Sequence, residues 1–557
     1  MIGYNCKYAP VEIMAGFGEK YQLINNVAEN FDYSSAILHL NMCSHAKAVL
    51  ENVHRGGYRK LLFMNCCDSS RRVFDAVSRD MDSGVDFSCC LDLPSCTSCC
   101  AVEKFRDDLL DFINRYEKIS GRTFDVKHFL SSFSCSKKEI KGKYVALLGA
   151  RSNKTIAETV RKCFKGIDVL DLTCANNRDL PPFEAASDEP LDSIMLKYSK
   201  ALLSQVPCMR MRDIKGREAL IESKNCLGII YCTVKFCDYY DFEFSQLKNK
   251  GIPVIKVETD FTSQSSGQLT TRLEGFYETV RQKSGEALLK DTGPTKGKFF
   301  LGIDSGSTST ELVALDRDLN IVKMVKVPTG AKAAVGAKKA LEQSGIDDGD
   351  IAFTTATGYG RKNIDFADYN VTEITCHARG AKYLYDDVTA VIDIGGQDSK
   401  VISLDENGLV SGFAMNDKCA AGTGRFLENM AKILELDMES MSEIGLNYKK
   451  DLNISSMCTV FAESEVVSLI AENNSVKDIV HGLNKSVALK TKALSAGVKD
   501  LSALMMTGGV ANNKGVVSEL EKQLNTKIFI PEHPEFCGAL GAALIAAEQF
   551  NLKKFLR

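Results

Sequence analysis

The chain has 557 residues, of which 45% are hydrophobic and 25% charged, and its net charge is -3 at neutral pH. That length exceeds what one hydrophobic core serves and implies two or three domains. The near-neutral charge gives no footing for nucleic acid or an acidic membrane. No apolar run reaches the roughly 18 residues that cross a bilayer. The opening MIGYNCKYAPVEIMAGFGEK lacks the basic-then-apolar order of a signal peptide, so a cytoplasmic protein is expected. There are 20 cysteines, 16 of them before residue 240. Disulfides do not persist in a reducing cytosol, so this many thiols suggests metal or redox chemistry, with roughly half of them inert core residues.

In chain order, the strand candidate KLLFMN (60–65) leads into an amphipathic helix over SSRRVFDAVSRDM. The stretch CCLDLPSCTSCC then places Cys89, Cys90, Cys96, Cys99 and Cys100 within twelve residues. Its C-x-x-C spacing suits a metal or an electron-entry thiol pair, and a variable Cys-rich loop explains it as well. A polar, basic break, SCSKKEIKGK (134–143), follows. Four apolar runs come next, VALLGA, IDVLDL, CLGIIY and PVIKVE, separated by helical patterns. Such alternation implies parallel, doubly wound α/β sheets, with ligands beyond the carboxyl ends of the strands. A second break, KDTGPTKGK (290–298), precedes the strand FFLGID. The predicted division is a first lobe over 1–140, a second over 141–289, and a two-lobed α/β domain over 298–557.

Three Gly-rich turns mark the last domain. Asp304-Ser-Gly-Ser-Thr308 and Asp393-Ile-Gly-Gly-Gln397-Asp398-Ser-Lys400 each follow an apolar strand. Glycine lets backbone N–H groups approach phosphate, and a strand-end Asp suits hydrated Mg²⁺. The third, Thr507-Gly508-Gly509-Val-Ala-Asn512, follows LSALMM and suits a purine and ribose passing close to backbone. No G-x-x-x-x-G-K-[ST] is present, which excludes a P-loop. Asp304, Asp393 and Gln397 are the candidate catalytic residues. Gly302, Ser305, Gly306, Ser307, Thr308, Gly395, Gly396, Asp398, Lys400, Gly508, Gly509 and Asn512 are the candidates for holding ATP.

Cys419 and Cys458 each stand at the start of a predicted helix, where partial positive charge lowers a thiol pKa. Two thiols cannot fill a [4Fe–4S] cluster, which takes four, but a symmetric homodimer supplies the other two. The three turns in this order resemble the actin, hexokinase and Hsp70 superfamily. With ATGYGR, EITCHARGA, NDKCAAGTGRFLE and MCTVFAESEV they resemble the activator ATPases of 2-hydroxyacyl-CoA dehydratases and benzoyl-CoA reductases. That resemblance implies one [4Fe–4S] cluster shared between two protomers through Cys419 and Cys458, and Mg-ATP on the turns. Cys376 has no such role, and Cys537 reads as core.

Residues from about 1 to 285 resemble the D-component dehydratase family, which includes double-cubane cluster proteins. The segments carrying this include GYNCKYAP, NMCSHAKAVLE, MNCCDSSRRVFD, LTCANNRD, VPCMRMRD and VKFCDYYDFE. The resemblance implies cluster ligands at Cys43, Cys67 and Cys237. Cys6, Cys174 and Cys208 fall at matching strand ends or turns, and six thiolates would serve a double cubane. Cys67 is preferred to Cys66 because it precedes Asp68. Arg178 and Arg210 lie near these positions in sequence; they are candidates for offsetting negative charge, and solvated surface arginines explain them as well.

Together the two resemblances imply ATP-dependent, low-potential electron transfer from the activator cluster to an iron–sulfur cluster in the N-terminal half, for reduction of a small molecule. A reduced ferredoxin or flavodoxin is the expected donor. Two other readings stay open: a self-activating (R)-2-hydroxyacyl-CoA dehydratase acting on an acyl-CoA, and a non-redox ATPase or kinase.

Overall fold

The computed structural model describes residues 1–39, 41–79, 84–133, 142–174, 178–247, 251–261, 266–284, 297–416, 423–454, 459–498 and 500–555. The chain forms two compact units, Met1–Leu273 and Glu274–Arg557. Among the described residues no helix is long and apolar enough to cross a membrane.

The first unit holds two four-stranded sheets. One contains β1 (Ile2–Tyr4), β2 (Tyr21–Leu23), β3 (Lys60–Asn65) and β4 (Phe87–Asp92), in the order β2-β1-β3-β4. The other contains β5 (Tyr144–Gly149), β6 (Asp168–Asp171), β7 (Cys226–Val234) and β8 (Val254–Thr259), in the order β6-β5-β7-β8. All their pairings are parallel. Parallel sheets are covered on both faces, which is why the strands are apolar runs rather than alternating ones. All six residues of β5 are buried, as are Leu61 to Met64 of β3. Each such side chain contributes about 1.5–3 kcal/mol on burial, so Leu62→Ala would cost about 2–5 kcal/mol.

The helix Asp68–Arg79 buries Val73 and Val77 and leaves its arginines outward. The helix Cys99–Ser120 buries Phe105, Leu109, Phe112, Ile113 and Tyr116, a stripe at helical spacing. Ser98 caps its start by accepting from the Ala101 N–H, and Gly121 ends it in the left-handed region. The two lobes are not built from separate segments. The helix Leu191–Leu203, which lies between β6 and β7 in the chain, packs Ile194, Met195, Tyr198 and Leu202 into the core of the first lobe.

The second unit holds two five-stranded sheets. The first joins β9 (Phe299–Ser305), β10 (Ser309–Leu315), β11 (Ile321–Pro328), β12 (Ile351–Thr357) and β13 (Tyr369–Asn370), in the order β11-β10-β9-β12-β13. The second joins β14 (Ala390–Ile394), β15 (Ser399–Leu404), β16 (Val410–Asn416), β17 (Leu504–Thr507) and β18 (Ile528–Phe529), in the order β16-β15-β14-β17-β18. In each, three antiparallel strands are followed across the sheet by two parallel ones. The second unit is thus a tandem duplication of one sheet plan, the actin-like fold.

Candidate functional site

The duplication sets two aspartates at equivalent points. Asp304 pairs in register with Thr357 of β12 and Glu311 of β10. Asp393 pairs with Thr507 of β17 and Lys400 of β15. After each parallel partner strand comes a glycine with positive φ, Gly358 at 82° and Gly508 at 81°. A Cβ would lie 2.5 Å from Asp304 Oδ1 at the first and 2.7 Å from Asp393 Oδ1 at the second. Both positions therefore demand glycine on two counts.

Around these aspartates lies a cavity of about 630 Å³. The structure brings Asp304, Gly306, Ser307 and Thr308 to it from the first turn. Asp393, Gly395, Gly396, Gln397, Asp398 and Lys400 reach it from the second, and Gly508, Gly509 and Asn512 from the third. Gly302 and Ser305 do not line it. Gly302 lies inside β9, where a side chain would collide with the backbone of Ala539 and Ala543 in the helix Cys537–Phe555. Ser305 is fully buried, 3.4 Å from the Thr310 hydroxyl.

The two aspartates differ in charge environment. Lys400 Nζ lies 3.3 Å from Asp393 Oδ2 and 2.8 Å from Asp398 Oδ1. The Thr507 hydroxyl donates to Asp393 Oδ1 at 3.2 Å. Burial alone would push the Asp393 carboxyl up, but His377, Lys400 and Thr507 hold it below its usual value. Asp304 has Glu311 where Asp393 has Lys400. Burial first, then the charges of Glu311, Glu373 and Asp393, raise Asp304 well above the carboxylate range. Glu311 itself is pushed up to about 7, chiefly by burial. A pocket with such excess negative charge at Asp304 suits a divalent cation.

Sequence reasoning missed four residues here. His377 Nε2 lies 3.9 Å from Asp304 Oδ2 and 3.7 Å from Asp393 Oδ2. Glu373, one helical turn earlier on Glu373–Leu384, is buried on the cavity wall, and its Oε1 has no hydrogen-bond partner among the described residues. Glu311 is the third, and Tyr359, which donates to Asp398 at 3.0 Å, the fourth. The signal for two of them was present: Glu373 and His377 stand four apart in EITCHARGA. Cys376 and Cys537 are both buried core residues, away from this role.

Cys419 and Cys458 lie outside the described residues. The helix Thr459–Ala471 begins immediately after Cys458.

In the first unit a second cavity, of about 80 Å³, is lined by Cys6, Cys43, Cys66, Cys67, Cys174 and Cys237. Cys6 lies two residues beyond β1, and Cys67 two beyond β3, the neighbouring strands where chain order reverses. Ligand crevices form at that reversal. Cys43, Cys67 and Cys237 each accept the first backbone bond of a helix, from the N–H groups of Lys47, Arg71 and Asp241 at 3.2 Å. Helix-start partial charge thus bears on all three. Cys174 is pinned to the end of β5 by its N–H to the Gly149 carbonyl at 3.2 Å. Cys208 stands behind the wall, buried, and within charge reach of Cys6 and Cys174.

Cys66, outside the predicted ligand set, is one of the six thiols lining this cavity and is hydrogen-bonded to the sulfurs of Cys6 and Cys67. Those bonds push Cys66 well up, lower Cys67, and bring Cys6 down to about 7. Burial raises Cys43 and Cys237, and lifts Cys174 to about 12. Among the described residues no three metal-binding side chains converge as they would on a single ion. The thiols ring a cavity, donors of the type that hold an iron–sulfur group. Unsatisfied donors agree. Tyr8 faces Cys208, and the buried Tyr240 hydroxyl, near Cys174 and Cys208, has no hydrogen-bond partner among the described residues. Such groups ask for an acceptor.

The arginines are sorted differently from the sequence reading. Arg178 does not serve the thiols; it pairs with buried Glu12, which also accepts from Tyr198 at 2.5 Å. Arg210 keeps a buried Nη1 without a partner. Arg151, unremarked in the sequence, is the guanidinium on the cavity wall. Cys99 and Cys100 are exposed with their sulfurs 3.9 Å apart, and Cys96 is half-buried.

The duplicated sheets, the paired strand-end aspartates and the glycine turns define the second unit as an ATPase of the actin-like fold. Residues 301–546 match the BadF/BadG/BcrA/BcrD ATPase family, and residues 6–144 and 149–280 match the 2-hydroxyglutaryl-CoA dehydratase D-component family. The 2-hydroxyisocaproyl-CoA dehydratase activator of Clostridioides difficile is 43% identical over 255 residues, covering 45% of this chain and 96% of that protein. The (R)-2-hydroxyglutaryl-CoA dehydratase activating ATPase of Acidaminococcus fermentans is 45% identical over 252 residues, 44% of this chain and 96% of that protein. A solved structure of the activator from Clostridium difficile with bound ADPNP is 41% identical, covers 46% of this chain and 98% of its own, and has a TM-score of 0.45. The chain belongs to the BadF/BadG/BcrA/BcrD ATPase family, joined here to a dehydratase D-component domain.

Proposed function

We propose that this chain couples ATP hydrolysis in its second unit to delivery of low-potential electrons to its first. Cys6, Cys43, Cys67, Cys174, Cys208 and Cys237 would hold a double-cubane iron–sulfur group there. The observation that carries the reading is the convergence of thiols from both lobes on one buried cavity. When bound, such a group supplies one-electron storage at low potential.

In the ATP site, Asp304 would hold Mg²⁺, and the turns at Gly306–Thr308 and Gly395–Gln397 would cradle the phosphates. Lys400 keeps Asp393 ionised and pairs with Asp398 in a buried site. Gln397 and the unpaired Glu373 oxygen would orient the attacking water, so phosphoryl transfer needs no other acceptor. Cys419 and Cys458, with their counterparts in a second copy of the chain, would hold a [4Fe–4S] cluster in a homodimer. A reduced ferredoxin or flavodoxin would be the donor, and a small molecule the acceptor.

The test is anaerobic purification with iron and sulfide analysis, followed by reduction with and without ATP in wild type and Cys419→Ala. The reading predicts about ten irons per chain, eight in the first unit and half of a shared four. ATP-dependent reduction of the first unit persisting in Cys419→Ala would sink it. The D-component match favours a second reading, dehydration of a 2-hydroxyacyl-CoA. That reading predicts about six irons per chain and loss of water from such a thioester.

A further inference from the structure

Two arginines of the first unit are buried, Arg217 and Arg151, and Arg178 is half-buried; two of these three have carboxylate partners. Arg217 pairs with Glu243 at 2.7 Å, and Arg178 pairs with Glu12. The third, Arg151, is 6% exposed and has no carboxylate partner among the described residues. It stands two residues beyond β5, the position that Cys6 holds beyond β1 in the matching lobe. Its Nη1 donates to the Ile24 carbonyl at 2.8 Å and to His45 Nε2 at 2.9 Å, and its Nη2 donates to the Asn5 carbonyl. A guanidinium only donates, so His45 accepts on Nε2 and is neutral.

Every hydrogen-bond partner of this cation is therefore neutral. A buried charge without a counter-ion is costly and is not retained without compensation. The anions available are sulfurs: Arg151 lines the cavity with Cys6, Cys43, Cys67, Cys174 and Cys237.

We propose that Arg151 is a counter-charge of the six-thiol site, a positioning residue that tunes the electron affinity of the iron–sulfur group held there. This rests on the ligand assignment made above. A fixed positive charge favours the reduced, more negative state, so removing it moves the midpoint potential downward. A purely structural role, tying the turn after β5 to Asn5 and Ile24, would leave the potential alone.

The test uses the full chain, purified anaerobically, as wild type, Arg151→Lys and Arg151→Gln. Iron per chain is measured first, then the midpoint potential by a titration followed in the electron-spin spectrum. Arg151→Gln keeps a donor toward the carbonyls without charge. Its reduced-to-oxidised ratio at fixed solution potential should fall at least tenfold, about 59 mV for a one-electron step. Arg151→Lys should stay within threefold of wild type. Iron loss in Arg151→Gln with retention in Arg151→Lys supports the same conclusion, since charge separates the two. A fully loaded Arg151→Gln chain titrating with wild type overturns the proposal, and so does failure of both variants to load. A wild-type chain without iron removes the ligand assignment instead.

Discussion

Each unit duplicates one sheet plan and places its site where the two copies end, yet the copies differentiate in opposite ways. In the first unit, the residue two beyond the leading strand is a thiol in one lobe, Cys6, and a cation in the other, Arg151. In the second, the residue paired across from the strand-end aspartate is an acid in one lobe, Glu311, and a cation in the other, Lys400. Both units thus set buried positive charge against a cluster of potential anions. The copies supply equivalent positions, and a single substitution per position assigns sign. The result is a soft, sulfur-rich cavity in one unit and a hard, oxygen-rich one in the other, which suit iron–sulfur and Mg-phosphate chemistry respectively.

The comparison breaks most visibly at the thiols. Cys67→Ala and Cys237→Ala should each lose more than roughly half the iron of the first unit, measured by colorimetric iron per chain, since a missing ligand opens a cluster corner. Cys66→Ala should keep it. Equal losses in all three would reassign Cys66 as a ligand.

Next in size is Lys400→Met, which leaves Asp393 and Asp398 buried without their cation. It should destabilise the second unit by about 3–5 kcal/mol in denaturant titration and abolish phosphate release. A melting profile like that of wild type would show that the lysine is not what compensates these buried carboxylates.

The equivalent change in the other lobe, Glu311→Gln, should act with the opposite sign. Folding raises Glu311 from 4.5 to about 7, so between those values the folded protein holds a proton that the unfolded chain has released. Stability contributed by this group is therefore present at low pH and falls as pH rises through that window. Denaturation midpoints measured from pH 5 to 8 should decline less steeply in Glu311→Gln, which should match or exceed wild type at pH 8. An unchanged slope would refute the raised value.

The smallest effect is expected at the thiols around the start of the helix Cys99–Ser120. Replacing Cys96, Cys99 and Cys100 together by Ser should change iron content and ATP hydrolysis by less than about twofold, because none lines either cavity. A large fall in the rate of reduction by an external donor, with iron unchanged, would instead make this loop an electron entry point.

Much of this was legible in the order of residues. Apolar runs of six marked the buried parallel strands, because a strand covered on both faces has no polar positions to alternate. Aspartate followed by glycine at a strand end marked the phosphate turns, because few other arrangements bring backbone that close to an anion. Cysteine at strand ends marked the crevice of the first unit. Gly302 and Ser305 were misplaced by the same logic, since proximity in sequence to a turn does not say which way a strand residue faces. Arg178 failed for a related reason: nearness to Cys174 in the chain said nothing of Glu12.

What the sequence alone determined is local: the alternation of elements, the glycine turns, and which thiols stand at ends. What only the tertiary structure decided is pairing across distance. The opposition of Glu311 to Asp304 and Lys400 to Asp393, the reach of His377 to both aspartates, Cys66 beside Cys6, and Arg151 among sulfurs all depend on strand register and lobe packing. Register is fixed by the joint burial of many side chains, so a charge's partner is a property of the assembled core and not of any stretch of chain.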